Sequence, residues 1–147
     1  MSTSTDTTLR LTRVIKAAPA IVFAAWTEPA QLRQWSCPEG MELPDVQVDL
    51  RVGGSLLLDM LGEDGVHHTA FGEYREIDAP HRLAYTWDWK QEGDAMGETL
   101  ITVKFNPHGK HTEVVMTHEK MPSIELRDSH DHGWTSCLDR LEKLCSH

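Results

Sequence analysis

Asp49-Leu50-Arg51-Val52-Gly53-Gly54-Ser55-Leu56-Leu57-Leu58-Asp59-Met60 constrains the fold more than any other stretch of this chain. Apolar residues on alternate positions run into a pair of glycines and leave on the same period. Paired glycines supply the positive φ angles that tight hairpin turns need, with no side chain in the way of the bend. Strands over 46–52 and 56–60, joined as a hairpin, are expected.

The same period-2 pattern recurs on either side. Leu9, Leu11 and Ile15 alternate with Arg10, Thr12 and Lys16 after a Ser/Thr-rich stretch read as a flexible head over residues 1–8. Beyond the hairpin, extended patterns cover 67–77, 82–90 with Leu83, Tyr85, Trp87 and Trp89 on one face, 99–105 and 112–118. Glu63-Asp64-Gly65, Asp78-Ala79-Pro80, Glu92-Gly93-Asp94 and Asn106-Pro107-His108-Gly109-Lys110 separate them as turns. Two prolines suited to helix starts, Pro19 and Pro29, open two short helices after the first strand, and Pro38 and Gly40 end the second. From Ser123 the period becomes helical, with His130, Trp134, Cys137, Leu138, Leu141, Leu144 and Cys145 three or four apart. That stripe must be buried, and the concave face of the sheet is the large apolar surface left for it. The fold class is therefore α+β, a curved antiparallel sheet of about seven strands wrapped on a long C-terminal helix, forming one domain over 9–147.

Charge and composition exclude several functions. A formal charge of −9, from 14 basic and 23 acidic residues, opposes a nucleic-acid partner, which clustered Lys and Arg would have to hold. No apolar run of membrane-spanning length and no charged-then-apolar leader occurs, so a cytoplasmic location without a membrane span is expected. Cys37, Cys137 and Cys145 lack Cys-x-x-Cys spacing and read as reduced thiols, with neither a disulfide framework nor a zinc site. Exposed edge strands suit a homodimer.

Several pieces in order identify a resemblance. They are Arg13 and Ala18-Pro19 leading to Val22-Phe23 and Trp26-Thr27-Glu28-Pro29, Leu32 and Trp35, Asp49-Leu50-Arg51-Val52-Gly53-Gly54, Gly72-Glu73-Tyr74, Ile77 and Pro80, Leu83-Ala84-Tyr85-Thr86-Trp87, and Gly133-Trp134 before Leu138 and Leu141. Together they resemble the START-like (SRPBCC, polyketide-cyclase and birch-pollen-allergen-like) superfamily with its helix-grip fold. Within it they are similar to the family named for the activator of the ninety-kilodalton heat-shock protein's ATPase. The chain departs from that family where Ser36-Cys37 follows the tryptophan of the second helix, in place of a second aromatic. It is also read as one domain, so the additional domain with which a chaperone activator would engage its client is not expected.

The resemblance implies a cavity between the sheet and the N-terminal half of the long helix. Trp35, Met60, Tyr74, Trp87, Trp89, Met96, Met116, Trp134 and Leu138 are the candidates to line it, since rings and thioethers make adaptable apolar walls. The implied function is binding of a small or medium apolar molecule, as carrier or sensor, with no cofactor. One alternative is a protein-interaction module acting on a chaperone ATPase or another enzyme. Another is a small cyclase, isomerase or hydrolase.

Nine histidines invite a metal or acid–base reading. His130 and His132 point about 200° apart on a helix, and His67 and His68 face opposite sides of a strand, so neither pair shares a metal and no metal site is expected. His118 and His130 are the catalytic candidates, because strand and helix can bring them together across the cavity. Asp59, Glu73 and Glu98 are weighed as a buried carboxylate, though each reads more readily as an outward strand residue, and Asp49 with Arg51 as a surface ion pair. Cys37 needs a cationic neighbour to become nucleophilic, and in sequence only Arg33 is near.

Overall fold

Local chemistry sets the first elements. In a computed structural model describing residues 7–145, β1 (Leu9–Ile15) turns Leu9 and Ile15 inward; most of the expected flexible head, residues 1–6, lies outside the described part. Pro19 occupies the first turn of α1 (Pro19–Thr27). Pro29 does the same for α2 (Pro29–Trp35), and Glu28 between them takes the extended backbone that a residue before proline favours.

Five more strands follow as β2 (Glu42–Val48), β3 (Ser55–Leu61), β4 (His67–Asp78), β5 (Arg82–Trp89) and β6 (Thr99–His108), then β7 (His111–Glu119) and the long helix α3 (Ile124–Cys145). All neighbours pair antiparallel in one seven-stranded curved sheet of order β1-β7-β6-β5-β4-β3-β2. The α+β helix-grip architecture expected from the sequence is the one observed.

The hairpin at the glycines differs from expectation. β2 starts at Glu42 and ends at Val48, so the strand expected over 46–52 stops four residues early. Asp49 N–H donates to the Ser55 carbonyl and Gly54 N–H to the Arg51 carbonyl, closing a loop that contains both glycines. Leu50 and Val52 keep the alternating pattern but have no sheet to cover them, and stand 43% and 64% exposed. A register shift between Glu42 and Asp45 lets Leu43 and Val46, three apart, both face the core. Pro107, expected in a turn, lies inside β6 beyond the residues that pair with β5, where its missing N–H breaks no ladder on that side.

Ser123 caps α3 with its hydroxyl, accepting from Leu126 N–H at 3.1 Å. The helix lies against the sheet's inward residues. Arg13 on β1 pairs with Asp139 at 2.6 Å, and Arg140 donates to the Cys37 carbonyl at 2.6 Å, so both flanks of the helix are tied down. Trp26, Trp35, Phe23 and Phe105 form an edge-to-face cluster at the core's centre, with Trp26 stacked on Trp134 of α3.

Candidate ligand-binding cavity

On α3, Leu126, Ser129, His130, Gly133, Trp134 and Cys137 fall three or four apart and form one face of the helix. Opposite them, alternation along β5 turns Trp87 and Trp89 the same way, with Met60 from β3 and His68 from β4 beside them. The space between these walls is not filled. A cavity of about 420 Å³ remains, closed at its sides by Ser36, Pro38 and Met41 after α2 and by Gly93, Asp94 and Ala95 of the β5–β6 loop. Exposed Gly93, Ala95 and Ser129 stand at its rim, so it opens to solvent.

The β5–β6 loop is held in place. Asp88 Oδ1 accepts from the Trp89 and Met96 N–H groups, both at 2.8 Å. The His68 ring nitrogen Nδ1 meets Asp94 Oδ2 at 2.6 Å across the rim, and Gln91 accepts from Thr69 N–H at 2.6 Å.

Two histidines sit behind the indoles, and their tautomers follow from their partners. Trp134 Nε1 can only donate, so His118 Nδ1 accepts from it at 3.3 Å. His118 Nε2 therefore carries the proton and donates to Thr99 Oγ1 at 2.8 Å, and that hydroxyl donates on to the Trp87 carbonyl. His130 is the other tautomer. Its Nδ1–H donates to the Leu126 carbonyl at 2.8 Å, and its Nε2 accepts from Trp89 Nε1–H at 3.2 Å.

The rings of His118 and His130 meet edge to face at 5.4 Å, the approach that the sequence suggested. Burial, with His130 adding to it, lowers the His118 pKa to about 3. Burial also lowers that of His130, against the Leu126 hydrogen bond that raises it. Both rings are neutral at physiological pH, and all four ring nitrogens are engaged.

Of the residues singled out from the sequence, Met60, Trp87, Trp89, His130 and Trp134 line the cavity, and His118 lies directly behind it. Trp35, Tyr74, Met116 and Leu138 are instead packed in the core, and Met96 packs against the core rather than on the cavity wall. Trp35 is fully buried, with its N–H spent on the Ala25 carbonyl at 2.8 Å.

Asp59 lies against His67, while Glu73 and Glu98 both pair with Arg75 at the surface; none lines the cavity. Cys37 has a cationic neighbour, but it is Arg140 from α3 rather than Arg33, at 3.2 Å from Sγ. Burial outweighs that guanidinium and pushes the thiol up, away from the thiolate that nucleophilic work needs. Among the described residues no group of three or more His, Cys, Asp or Glu is disposed to hold a metal ion.

Sequence reasoning missed the rim. Pro38, Met41, Gly93, Asp94 and Ala95 come from two connections without periodicity, whereas Ser36 is marked by its departure from the family pattern. Leu126 and Ser129 could have been found by running the helical stripe upstream from His130 and Trp134.

Comparison with known proteins follows the same outline. The family model described as Activator of Hsp90 ATPase homolog 1-like protein matches residues 16–146. A solved protein of Chromobacterium violaceum is 28% identical with a TM-score of 0.89, over 96% of this chain and 98% of that one. The AHSA1 protein of Silicibacter pomeroyi is 28% identical with a TM-score of 0.83, over 92% of this chain and 95% of that one. A Mycobacterium smegmatis protein at 22% identity shares the fold, with a TM-score of 0.81 over 96% of this chain and 91% of that one. No curated protein matches the chain.

Proposed function

We propose that this chain, which belongs to the Activator of Hsp90 ATPase homolog 1-like family, binds a small or medium-sized apolar ligand beneath α3, as a carrier or sensor. The observation that carries this reading is a cavity of about 420 Å³ left beside an otherwise packed core and walled by Trp87, Trp89, Trp134, Met41 and Met60. That volume falls within the range of small-molecule sites. Water in such an enclosure makes few hydrogen bonds with indole and thioether walls, so displacing it with an apolar body is favourable. A cytoplasmic role is part of the proposal, and no helix among the described residues is long and apolar enough to cross a membrane.

The family's description supports a second reading, a module that modulates a chaperone ATPase through its surface. Exposed Leu50 and Val52 on the β2–β3 loop would serve it as an apolar contact. Acid–base catalysis by His118 or His130 has less support, since each would have to give up an existing hydrogen bond before taking a proton.

Native mass spectrometry of the purified protein, followed by thermal shift against fatty acids, sterols, flavonoids and polyketide-like aromatics, tests the first reading. A retained or added apolar ligand should raise Tm with concentration. No adduct and no shift across the panel would overturn ligand binding and move the surface-interaction reading to first place.

A further inference from the structure

His68 stands on the cavity wall with a ring nitrogen to spare. It pairs with Met60 across β3 and β4, and directly opposed residues of an antiparallel pair share a face. Along β4 that face also carries Ala70 and Tyr74, both 1% exposed. His68 is therefore turned to the concave side of the sheet, where it and Met60 both line the cavity. Its neighbour His67 is turned the other way and meets Asp59 off the cavity.

One nitrogen of the His68 ring is committed. Asp94, arriving on the β5–β6 loop, can only accept, so the Nδ1 that it meets at 2.6 Å carries the proton. In the neutral ring Nε2 then holds a lone pair, and among the described residues it has no hydrogen-bond partner. That nitrogen is also open. Trp87 Nε1 is the one unpartnered side-chain nitrogen or oxygen closed off in the interior of the described residues, and the His68 side chain is 37% exposed. His130, the other histidine on the wall, has both nitrogens engaged. An open acceptor at the mouth of an apolar cavity asks for a donor on whatever enters.

The chemical class of that donor follows from the charges around it. No Lys or Arg lines the cavity, and burial keeps His118 and His130 uncharged. A carboxylate or phosphate would find no counter-charge, and Asp94 at the rim would repel it. An ammonium would have to shed its hydration among indoles and thioethers, beside a carboxylate already bonded to His68. A neutral hydroxyl meets neither obstacle. Trp87 meets Trp89 at 87° and Trp134 at 47°, with ring centroids 5.5 and 5.6 Å apart, and such walls suit a flat ring.

Resting on the ligand-binding reading above, we propose that His68 is the polar specificity contact of the cavity, its Nε2 accepting a hydrogen bond from the hydroxyl of a neutral phenol whose ring skeleton lies among the indoles. Asp94 is the positioning residue, fixing the imidazole and its tautomer.

The test uses three bicycles of one outline: tetralin, 6-hydroxytetralin and 6-methoxytetralin, the last keeping the oxygen without its proton. Calorimetric titration of the whole protein at pH 8, above the ordinary histidine range, should show the phenol binding about fivefold tighter than the ether or more, the worth of one hydrogen bond. In His68→Phe, which keeps a flat ring and removes both nitrogens, that ratio should fall below about twofold. His67→Phe should leave it as it was. In ¹H–¹⁵N spectra of the histidine rings, the His68 Nε2 resonance should move upfield with the phenol and not with the ether. If His68→Phe does not fold, the wild-type ratio and the spectrum still decide the matter.

A role for His68 confined to holding the β5–β6 loop would shift all three affinities alike in His68→Phe and leave the ratio standing, which overturns the assignment. Equal affinities for phenol and ether in the wild type would do the same, with tetralin binding showing that the cavity remains an apolar site. If none of the three binds, the assignment and the ligand-binding reading both fall.

Discussion

His118 carries a full set of hydrogen bonds with no charge, and that combination makes the fold sensitive to acid. In the unfolded chain the ring titrates near its ordinary value of 6.5, and in the fold near 3. Between those values only the unfolded chain holds the extra proton, so stability is lost as pH falls from 6.5 towards 3 and is complete above that window. Each pH unit inside the window removes up to about 1.4 kcal/mol. Urea unfolding at pH 7 and pH 5 should show the wild type losing about 2 kcal/mol more than His118→Gln, whose amide can still serve Trp134 and Thr99 but does not titrate. Parallel pH curves for the two proteins would mean that His118 does not carry the effect. The lowered pKa of His130 acts in the same direction, so a slope should persist in the variant.

At the scale of elements, the glycines divide by what surrounds them. A Cβ on Gly54 would run into the Asp49 carbonyl oxygen, and one on Gly72 into the Thr86 carbonyl oxygen, backbone in both cases. Gly54→Ala and Gly72→Ala should each cost more than about 2 kcal/mol in urea unfolding, because the loop backbone at Gly54 and the paired strands at Gly72 must part to admit the methyl group. Gly109, at φ +65° with open space around it, should accept Asn for less than about 1 kcal/mol. A small loss at Gly54 would mean that the β2–β3 loop yields easily. Gly133 is different again: it lies mid-helix on the cavity wall, and a Cβ there would meet Pro38 Cγ at an ordinary 3.8 Å. Gly133→Ala should therefore raise stability by up to about 1 kcal/mol through helix propensity while weakening ligand binding. A fall in stability would show that the helix has no room at that turn.

These elements also show what the sequence could and could not disclose. Buried and less buried faces alternate along β1, β6 and β7 just as their residues do, and the stripe of α3 is continuous, so fold class and element order were legible. Leu50 and Val52 misled because they keep the period of a strand where the backbone has already turned, and periodicity cannot detect a missing neighbour strand. The cavity was half legible for a related reason. Alternation places Trp87, Trp89 and Met116 on the same face but cannot tell a residue beside a void from one beside another side chain. That difference depends on how far the helix stands from the sheet at each point.

Across the whole molecule, α3 is gripped unevenly. Its C-terminal half carries Leu138 and Leu141, both fully buried, and is tied through Asp139 to β1 and through Arg140 to the segment after α2. Its N-terminal half faces the cavity with Leu126, Ser129, His130 and Gly133. One helix therefore differs along its length, packed into the core at one end and bordering the cavity at the other. Two leucines on it separate the roles. Leu138→Ala opens a hole in the packed core and should cost about 2–5 kcal/mol. Leu126→Ala removes atoms that already border open space, so it should cost about 1 kcal/mol or less while weakening binding of an apolar ligand severalfold. Urea unfolding paired with titration of tetralin reads both quantities on both variants. If Leu126→Ala proves as destabilising as Leu138→Ala, the N-terminal half of α3 belongs to the core and the cavity closes in solution. If it is mild in both assays, the ligand, where one binds, rests on the indoles of β5 alone.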